Sequence, residues 1–474
     1  MRQNLFQDKR FYKTLMTLAL PIAAQNLVSS TVNMVDTVMI GQLGEVEIAA
    51  VGQANQLFFL FALMLFGINS GSAIFTAQFW GIRDIKNIRR VLGLNLLTAC
   101  GAGVLFTVLA LLFPEMVMRV YSKDPAVIEA GVRYLKIVGW SYIPTAVSFA
   151  YASVLRSTEQ PRIPMTMSIV SLLTNAVLNY VLIFGKFGFP EMGIDGAALA
   201  TLIARILETG LMLLIVYAGK HTPAARISEM LDLSRDFVVR FFRTSVPVIL
   251  NETIWSLGVS IYSVIYGRIG TSAVAAVNIS GTVTNLAMVL FQGMANAAAI
   301  MIGNRIGAGD EDKAFVYSER LLTLGPLAGV AMGVILMLTG NFFVSFYSVT
   351  EEVSMYAVKI LIVFGSLMPF KIFNMINIVG VLRSGGDTKF SLFLDTVGVW
   401  FISIPLAILS GLVLRFPVHW VYLLVGLEEV FKLALGLYRF RSKKWINNLV
   451  KDANHEETEC QPVLSPLPVG DESV

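Results

Sequence analysis

Cysteine, histidine and charge are scarce in this chain: 474 residues hold two Cys, three His and only 14% charged residues. Cys100 lies in an apolar stretch and Cys460 near the end, so the pair forms neither a disulfide framework nor a metal-ligand spacing. His221, His419 and His455 fall in polar connecting or terminal segments, and no apolar run carries an Asp-rich motif. Metal-dependent transferase chemistry inside a membrane therefore has no residues to work with, and no cofactor is expected. Soluble domains carry about 25% charged residues. A chain with 55% hydrophobic residues and a mean hydropathy of +0.70 is not one of them. The net charge of +4 is what basic loops of a membrane protein supply, so no nucleic-acid partner is implied.

What the chain has instead is long apolar runs, starting near Leu15, Asn55, Val91, Gly131, Pro164, Gly196, Phe241, Val277, Leu321, Met355, Ser391 and Val418. A helix crosses the hydrocarbon core with about 20 apolar residues. The expectation is an all-α integral membrane protein with about twelve transmembrane helices. A β-barrel is excluded because the runs are continuous, not ten-residue alternations. Pro21, Asn26, Asn33 and Asp36 suit a retained first helix better than a cleaved signal peptide. Basic residues gather in the N-terminal arm (Lys9, Arg10, Lys13), the loop around Arg83 to Arg90, the middle connector (Lys220 to Arg243) and the C-terminal flank (Arg439 to Lys444). That side is expected to be cytoplasmic, with both termini.

The second half re-runs the first. At an offset of 226 positions Pro21 falls on Pro247, Gly41 on Gly267, Ala49-Ala50-Val51 on Ala275-Ala276-Val277, Gly67 on Gly293, Gly81 on Gly307, Tyr121-Ser122 on Tyr347-Ser348 and Gly139 on Gly365. One residue later, Leu155-Arg156-Ser157 meets Leu382-Arg383-Ser384. Six spans per repeat make the two repeats parallel, and such halves point to a transporter whose working site lies where they face each other. The expected division is residues 1–218 as the first lobe, 219–240 as a cytoplasmic connector, 241–446 as the second lobe, and 447–474 as a disordered polar tail.

Polar residues at lipid depth are costly and therefore informative. Arg205 with Glu208, and Glu428 and Glu429 with Lys432, are spaced to neutralise themselves along a helix face. Asp395, one turn into its span, is expected to reach the interface. Asp36 has no basic residue within a helical turn. Either it meets water at the outer end of its helix, or it lies in a polar pocket able to exchange a proton or hold a cation. Thr174, Asn175 and Asn179 offer a polar face for such a pocket, with the two Asn four apart, and Thr201 follows in Gly196-Ala-Ala-Leu-Ala-Thr201. In the second half Glu252 and Lys371 are candidates to relieve each other's desolvation. Asn278, Asn285, Gln292 and Asn296 make a polar stripe suited to lining a cavity.

These features resemble the multidrug and toxic compound extrusion (MATE) family of bacterial drug/cation antiporters. The likeness runs from Lys13 to about Lys444 and rests on Met34-Val-Asp36-Thr-Val-Met-Ile-Gly41-Gln-Leu-Gly44, Ala49-Ala-Val-Gly52, the Asn175 and Asn179 helix, Gly196 to Thr201, Gly303-Asn-Arg-Ile-Gly307 and Val381-Leu-Arg383-Ser-Gly-Gly-Asp387-Thr388. The resemblance implies two six-helix lobes in a V around a central cavity that opens alternately to either side. It maps the first-lobe cation site onto Asp36, Asn175 and Thr201. Asn179 departs from the best-described branch, which carries a second aspartate there. One carboxylate with neutral oxygens still suits a proton or a weakly held Na⁺ at Asp36. The NorM-type branch places acids where this chain has Trp255 and Ile372, so a second-lobe coupling site of that kind is not expected.

The resulting expectation is a multi-pass protein of the bacterial inner membrane. It would act as a monomer among membrane lipids and would export small organic, cationic or amphiphilic, compounds in exchange for H⁺ or Na⁺. The alternative is a flippase of the same superfamily for lipid-linked saccharides. That reading meets an objection, since Lys371 is the one isolated lipid-depth cation the sequence offers.

Overall fold

The computed structural model describes residues 8–347 and 349–450, and among them the regular secondary structure is entirely helical. Among the described residues ten helices are long and apolar enough to cross a membrane: α1 (Lys9–Gly41), α2 (Glu45–Gly81), α3 (Ile85–Leu112), α4 (Arg162–Ile183), α5 (Gly193–Ala218), α6 (Arg235–Ile269), α7 (Thr271–Gly307), α8 (Glu311–Val344), α9 (Glu351–Leu382) and α10 (Thr388–Val413). The protein is thus an all-α, multi-pass membrane protein. The apolar runs that begin near Gly131 and Val418 form broken helices. Pro125–Val138 passes through a tight turn at Gly139–Ser141 into Tyr142–Ser157, where Pro144 has no N–H to offer the Trp140 carbonyl. Val418–Val425 is separated by Gly426 from Leu427–Arg441.

The 226-residue offset has a counterpart in the backbone. Gly44 and Gly270, 226 positions apart, directly precede α2 and α7, and both have positive φ (141° and 153°), a conformation that favours glycine. At the basic-loop end Asp8, Asp84 and Asp310 cap α1, α3 and α8 by accepting from the N–H of Phe11, Asn87 and Lys313.

Packing does not follow the chain division. The first turns of α1 bury Phe11, Leu15, Leu18 and Ala19 in the core of the second half, while the start of α6 buries Phe237 and Phe241 against Phe75, Phe79 and Val91 of the first. Each half's opening helix therefore leans on the other half. The halves meet most closely where α2 crosses α7 near the basic loops. A Cβ on Gly81 would lie 2.2 Å from the Asn304 carbonyl oxygen, and one on Gly307 would lie 1.8 Å from that of Gln78. Toward the opposite end Asn33, Asn278 and Asn285 are exposed.

The connector is tied down at the basic end. Arg89 pairs at 2.8 Å with Glu229 of the short helix Ile227–Met230, and Arg90 pairs at 2.5 Å with Asp232 just after it. The expected disordered tail begins too early at 447. Trp445 is fully buried, and residues 447–450 form a strap over both halves. Asn447 Nδ2 donates to the Gly385 carbonyl, Asn448 Nδ2 to that of Ile306, and the Leu449 N–H to Gln78 Oε1 at 2.8 Å. Backbone groups that would otherwise need water are satisfied by the protein there. The rest of that tail, with Cys460 and His455, lies outside the described residues.

Candidate functional site

The Asp36 carboxylate lies half-buried between α1 and α4. Asn179 Nδ2 donates to Asp36 Oδ1 at 2.8 Å. With its NH₂ turned toward the carboxylate, as its partners require, Asn175 donates to Asp36 Oδ2 at 2.9 Å and accepts from the Thr201 N–H at 3.2 Å. The four-residue spacing on α4 thus stacks two amides so that each takes one oxygen of the same carboxylate. Thr201 Oγ1 donates to the Ala197 carbonyl at 3.0 Å, so its oxygen faces this group as an acceptor. Asn179 Oδ1 is buried with no donor among the described residues. Every neighbour in this group presents oxygen or amide N–H, a donor set that suits a proton or a hard monovalent cation. One neighbour expected on this face stands apart from it: the Thr174 hydroxyl donates back to the Val170 carbonyl of its own helix.

Arg205 lies within electrostatic reach of Asp36 and is itself held by Glu208 at 2.8 Å. Glu208 accepts in turn from Ser168 at 2.6 Å, and Ser168 accepts from Gln25 at 2.8 Å. Arg205 and Glu208 neutralise each other along α5 as their spacing implied, but the chain they anchor returns to α1. Tyr134, fully buried against Thr201 and within electrostatic reach of Asp36, was not singled out in the sequence. A Tyr in an apolar run reads as core packing, and nothing local marks its hydroxyl.

The second half carries more buried charge, paired differently from expectation. Glu252 does not meet Lys371. Glu252 accepts from Arg383 at 2.7 Å, and Lys371 pairs with Glu429 at 2.8 Å. Asn374 adds a 2.8 Å bond to the same Glu429. Lys432 reaches Asp395 at 3.0 Å and Glu428 at 3.6 Å, and Asn251 donates to Asp395 at 2.9 Å. Asp395 is therefore not an interfacial residue, and only Glu428 of the Glu428/Glu429 pair stays with Lys432. Nor is Lys371 an isolated cation, since Arg383 and Lys432 are buried in the same half. Asn278, Asn285 and Gln292 are exposed along α7, and Asn26 on α1 donates to Gln292 at 3.4 Å.

Below that stripe, at the closed basic end, a cavity of about 80 Å³ is lined from both halves, by Asn69, Ser153 and Arg156 on one side and Asn296, Arg383 and Ser384 on the other. A bundle of long apolar helices, polar residues enclosed between them and a cavity shared by two halves define a polytopic secondary transporter.

A MatE family model matches the chain twice, over residues 21–181 and 247–409. The chain belongs to the MatE family. Among similar proteins, a probable multidrug resistance protein NorM of Thermotoga maritima is 24% identical over 94% of this chain and 97% of its own. An uncharacterized transporter, YisQ, of Bacillus subtilis is 25% identical over 93% and 96%. A crystal structure of a Vibrio cholerae MATE transporter superposes with a TM-score of 0.84 at 18% identity, covering 92% of this chain and 98% of that one. A MOP superfamily transporter from Pyrococcus furiosus gives 0.82 at 18% identity, covering 92% and 97%. At these identities the structural likeness speaks for the fold.

Proposed function

We propose that this protein is a secondary antiporter exporting organic, cationic or amphiphilic, compounds in exchange for H⁺ or Na⁺ by alternating access. In this reading the ten long helices and the two broken ones make twelve spans in two six-helix lobes, with both termini cytoplasmic in the inner membrane of a bacterium. Two matches to one family model, starting 226 residues apart, support the duplicated frame. Relatives named for multidrug resistance support the class of cargo.

The observation that carries the ion-coupling part is the Asp36 carboxylate held by two amides at 2.8 and 2.9 Å. An ionised carboxylate accepts both bonds. A protonated one must donate, and the carbonyl oxygen of Asn179, buried without a donor among the described residues, becomes its acceptor once that amide turns over. Na⁺ would use the same oxygens with the amides reversed. Either ion reorders α1 against α4 and α5, which gives the differential affinity for two packings that coupling requires. The test is efflux of a fluorescent organic cation from proteoliposomes under imposed pH and Na⁺ gradients. Asp36→Asn should abolish gradient-driven export, and undiminished export by well-folded Asp36→Asn protein removes Asp36 from the mechanism.

A further inference from the structure

The inter-half cavity at the basic end contains a motif of the repeat that the ion site leaves unused. Leu155-Arg156-Ser157 and Leu382-Arg383-Ser384 are counterparts in the two halves, and the fold brings both arginines, with Ser157 and Ser384, into a single cavity. Their electrostatic situations differ. Arg383 is 3% exposed and gives one end of its fork to Glu252, yet its Nε and Nη1 are buried with no acceptor. The side chain of Arg156, half-buried, makes no ion pair or hydrogen bond among the described residues. Asn69, Ser70, Ser153 and Asn296 add to the polar wall, and among the described residues no carboxylate lines it.

A guanidinium has five N–H donors and no acceptor, and leaving them unmet away from bulk water is unfavourable. With Glu252 neutralising Arg383, the cavity keeps one uncompensated positive charge on Arg156 and orphan donors from both halves. The place of Arg156 in the last turn of its helix, where a cation is favourable, explains why the charge is tolerated. It does not explain why the counterpart from the other half faces the same space.

We infer that this cavity is an anion subsite: Arg156 and Arg383, one from each half, hold a carboxylate or phosphate group of an amphiphilic ligand between them. Planar oxyanions match the guanidinium fork, and the serine and asparagine side chains supply further donors. Because the ligand would bridge the halves exactly where they close, it would bind the packing in which the basic end is shut. The inference rests on the proposed transport reading insofar as the ligand is cargo. It adds anionic and zwitterionic compounds, whether soluble or lipid, to the cations that reading named.

The experiment is equilibrium binding to the purified full chain in detergent, with no ion gradient, so its result is independent of ion-driven export. The probes are 1-naphthyl phosphate, its neutral analogue 1-naphthol, and dihexanoyl phosphatidic acid. Arg156→Gln should weaken binding of the anionic probe by about tenfold or more while leaving 1-naphthol unchanged, since a charge-assisted contact is removed. Arg156→Lys, which keeps the charge and loses the fork, should fall between. Should the glutamine variant not purify as a single species, displacement of 1-naphthyl phosphate from the unmodified protein by inorganic phosphate at constant ionic strength, with 1-naphthol undisturbed, is the supporting result. Tighter binding of the phosphatidic acid than of naphthyl phosphate assigns the site to a lipid headgroup, and the reverse assigns it to a soluble anion. Equal affinity of both anions for the unmodified protein and Arg156→Gln, or no binding of either, overturns the inference whatever the export assays give.

Discussion

Lys432 is a buried cation of the second half that answers two carboxylates, Asp395 at 3.0 Å and Glu428 at 3.6 Å. Its stem lies over Gly398, where a Cβ would come within 2.4 Å of Lys432 Cε. Removing one partner of a buried pair leaves an uncompensated charge, a loss of about 3–5 kcal/mol. Lys432→Met is expected to lower the thermal unfolding midpoint in detergent more than Lys371→Met does, because the Lys371 side chain keeps 38% exposure and can be replaced in part by water. Equal shifts would mean that Lys432 is not the centre of the network. Which of these charges meet could not be seen in the chain itself. Glu252 and Lys371 looked unpaired because neither has an opposite charge within a helical turn, yet the true partners, Arg383 and Glu429, are 131 and 58 residues away. Helical spacing reports on neighbours within a turn, so Arg205 with Glu208 was readable and these were not.

Among the elements, the α2 and α7 crossing decides how tightly the basic end shuts. Gly303 and Gly307 are four apart on α7 and face Ala77 and Gln78 of α2, so the backbones approach as closely as small residues permit. A methyl at Gly307 would collide with backbone, which cannot move aside as a side chain can. Gly307→Ala should therefore shift the protein toward packings open at the basic end. Spin labels on the exposed residues Ile82 and Asp312 would then show a longer distance population than in the unmodified protein, and an unchanged distribution counts against this crossing as the gate. The glycines were legible as repeat landmarks. Their mutual contact was not, because it depends on how two helices more than 200 residues apart are brought together.

For the whole molecule, Gln78 is the stitch between the halves and the strap. Fully buried, it donates to the Ser384 carbonyl at 2.9 Å and to the Asn447 carbonyl at 3.1 Å, and accepts from the Leu449 N–H at 2.8 Å. Gln78→Ala removes all three and leaves buried backbone groups without partners, at about 1–3 kcal/mol each where water cannot replace it. The expected result is faster alkylation of a cysteine introduced at Ala77, which is buried at the crossing, by a reagent added on the side of the basic loops. No change in rate would mean that the strap does not hold that end closed. Such a latch is consistent with alternating access, in which the contacts closing one end must be weak enough to be exchanged for others.

The chain by itself determined its solvent, its helices and its duplication, because hydrophobic length and a repeated pattern are local properties that hold wherever the segments end up. It also marked Asp36 with Asn175 and Asn179, since an unpaired acid and two stacked amides stand out against apolar helices. Only the tertiary structure decided that α1 and α6 each lean on the opposite half, that residues 447–450 strap both halves together, and that Arg156 and Arg383 share one cavity. Those outcomes depend on contacts between residues far apart in sequence, where packing geometry and the need to satisfy buried charge select the partner and helical periodicity gives no guide.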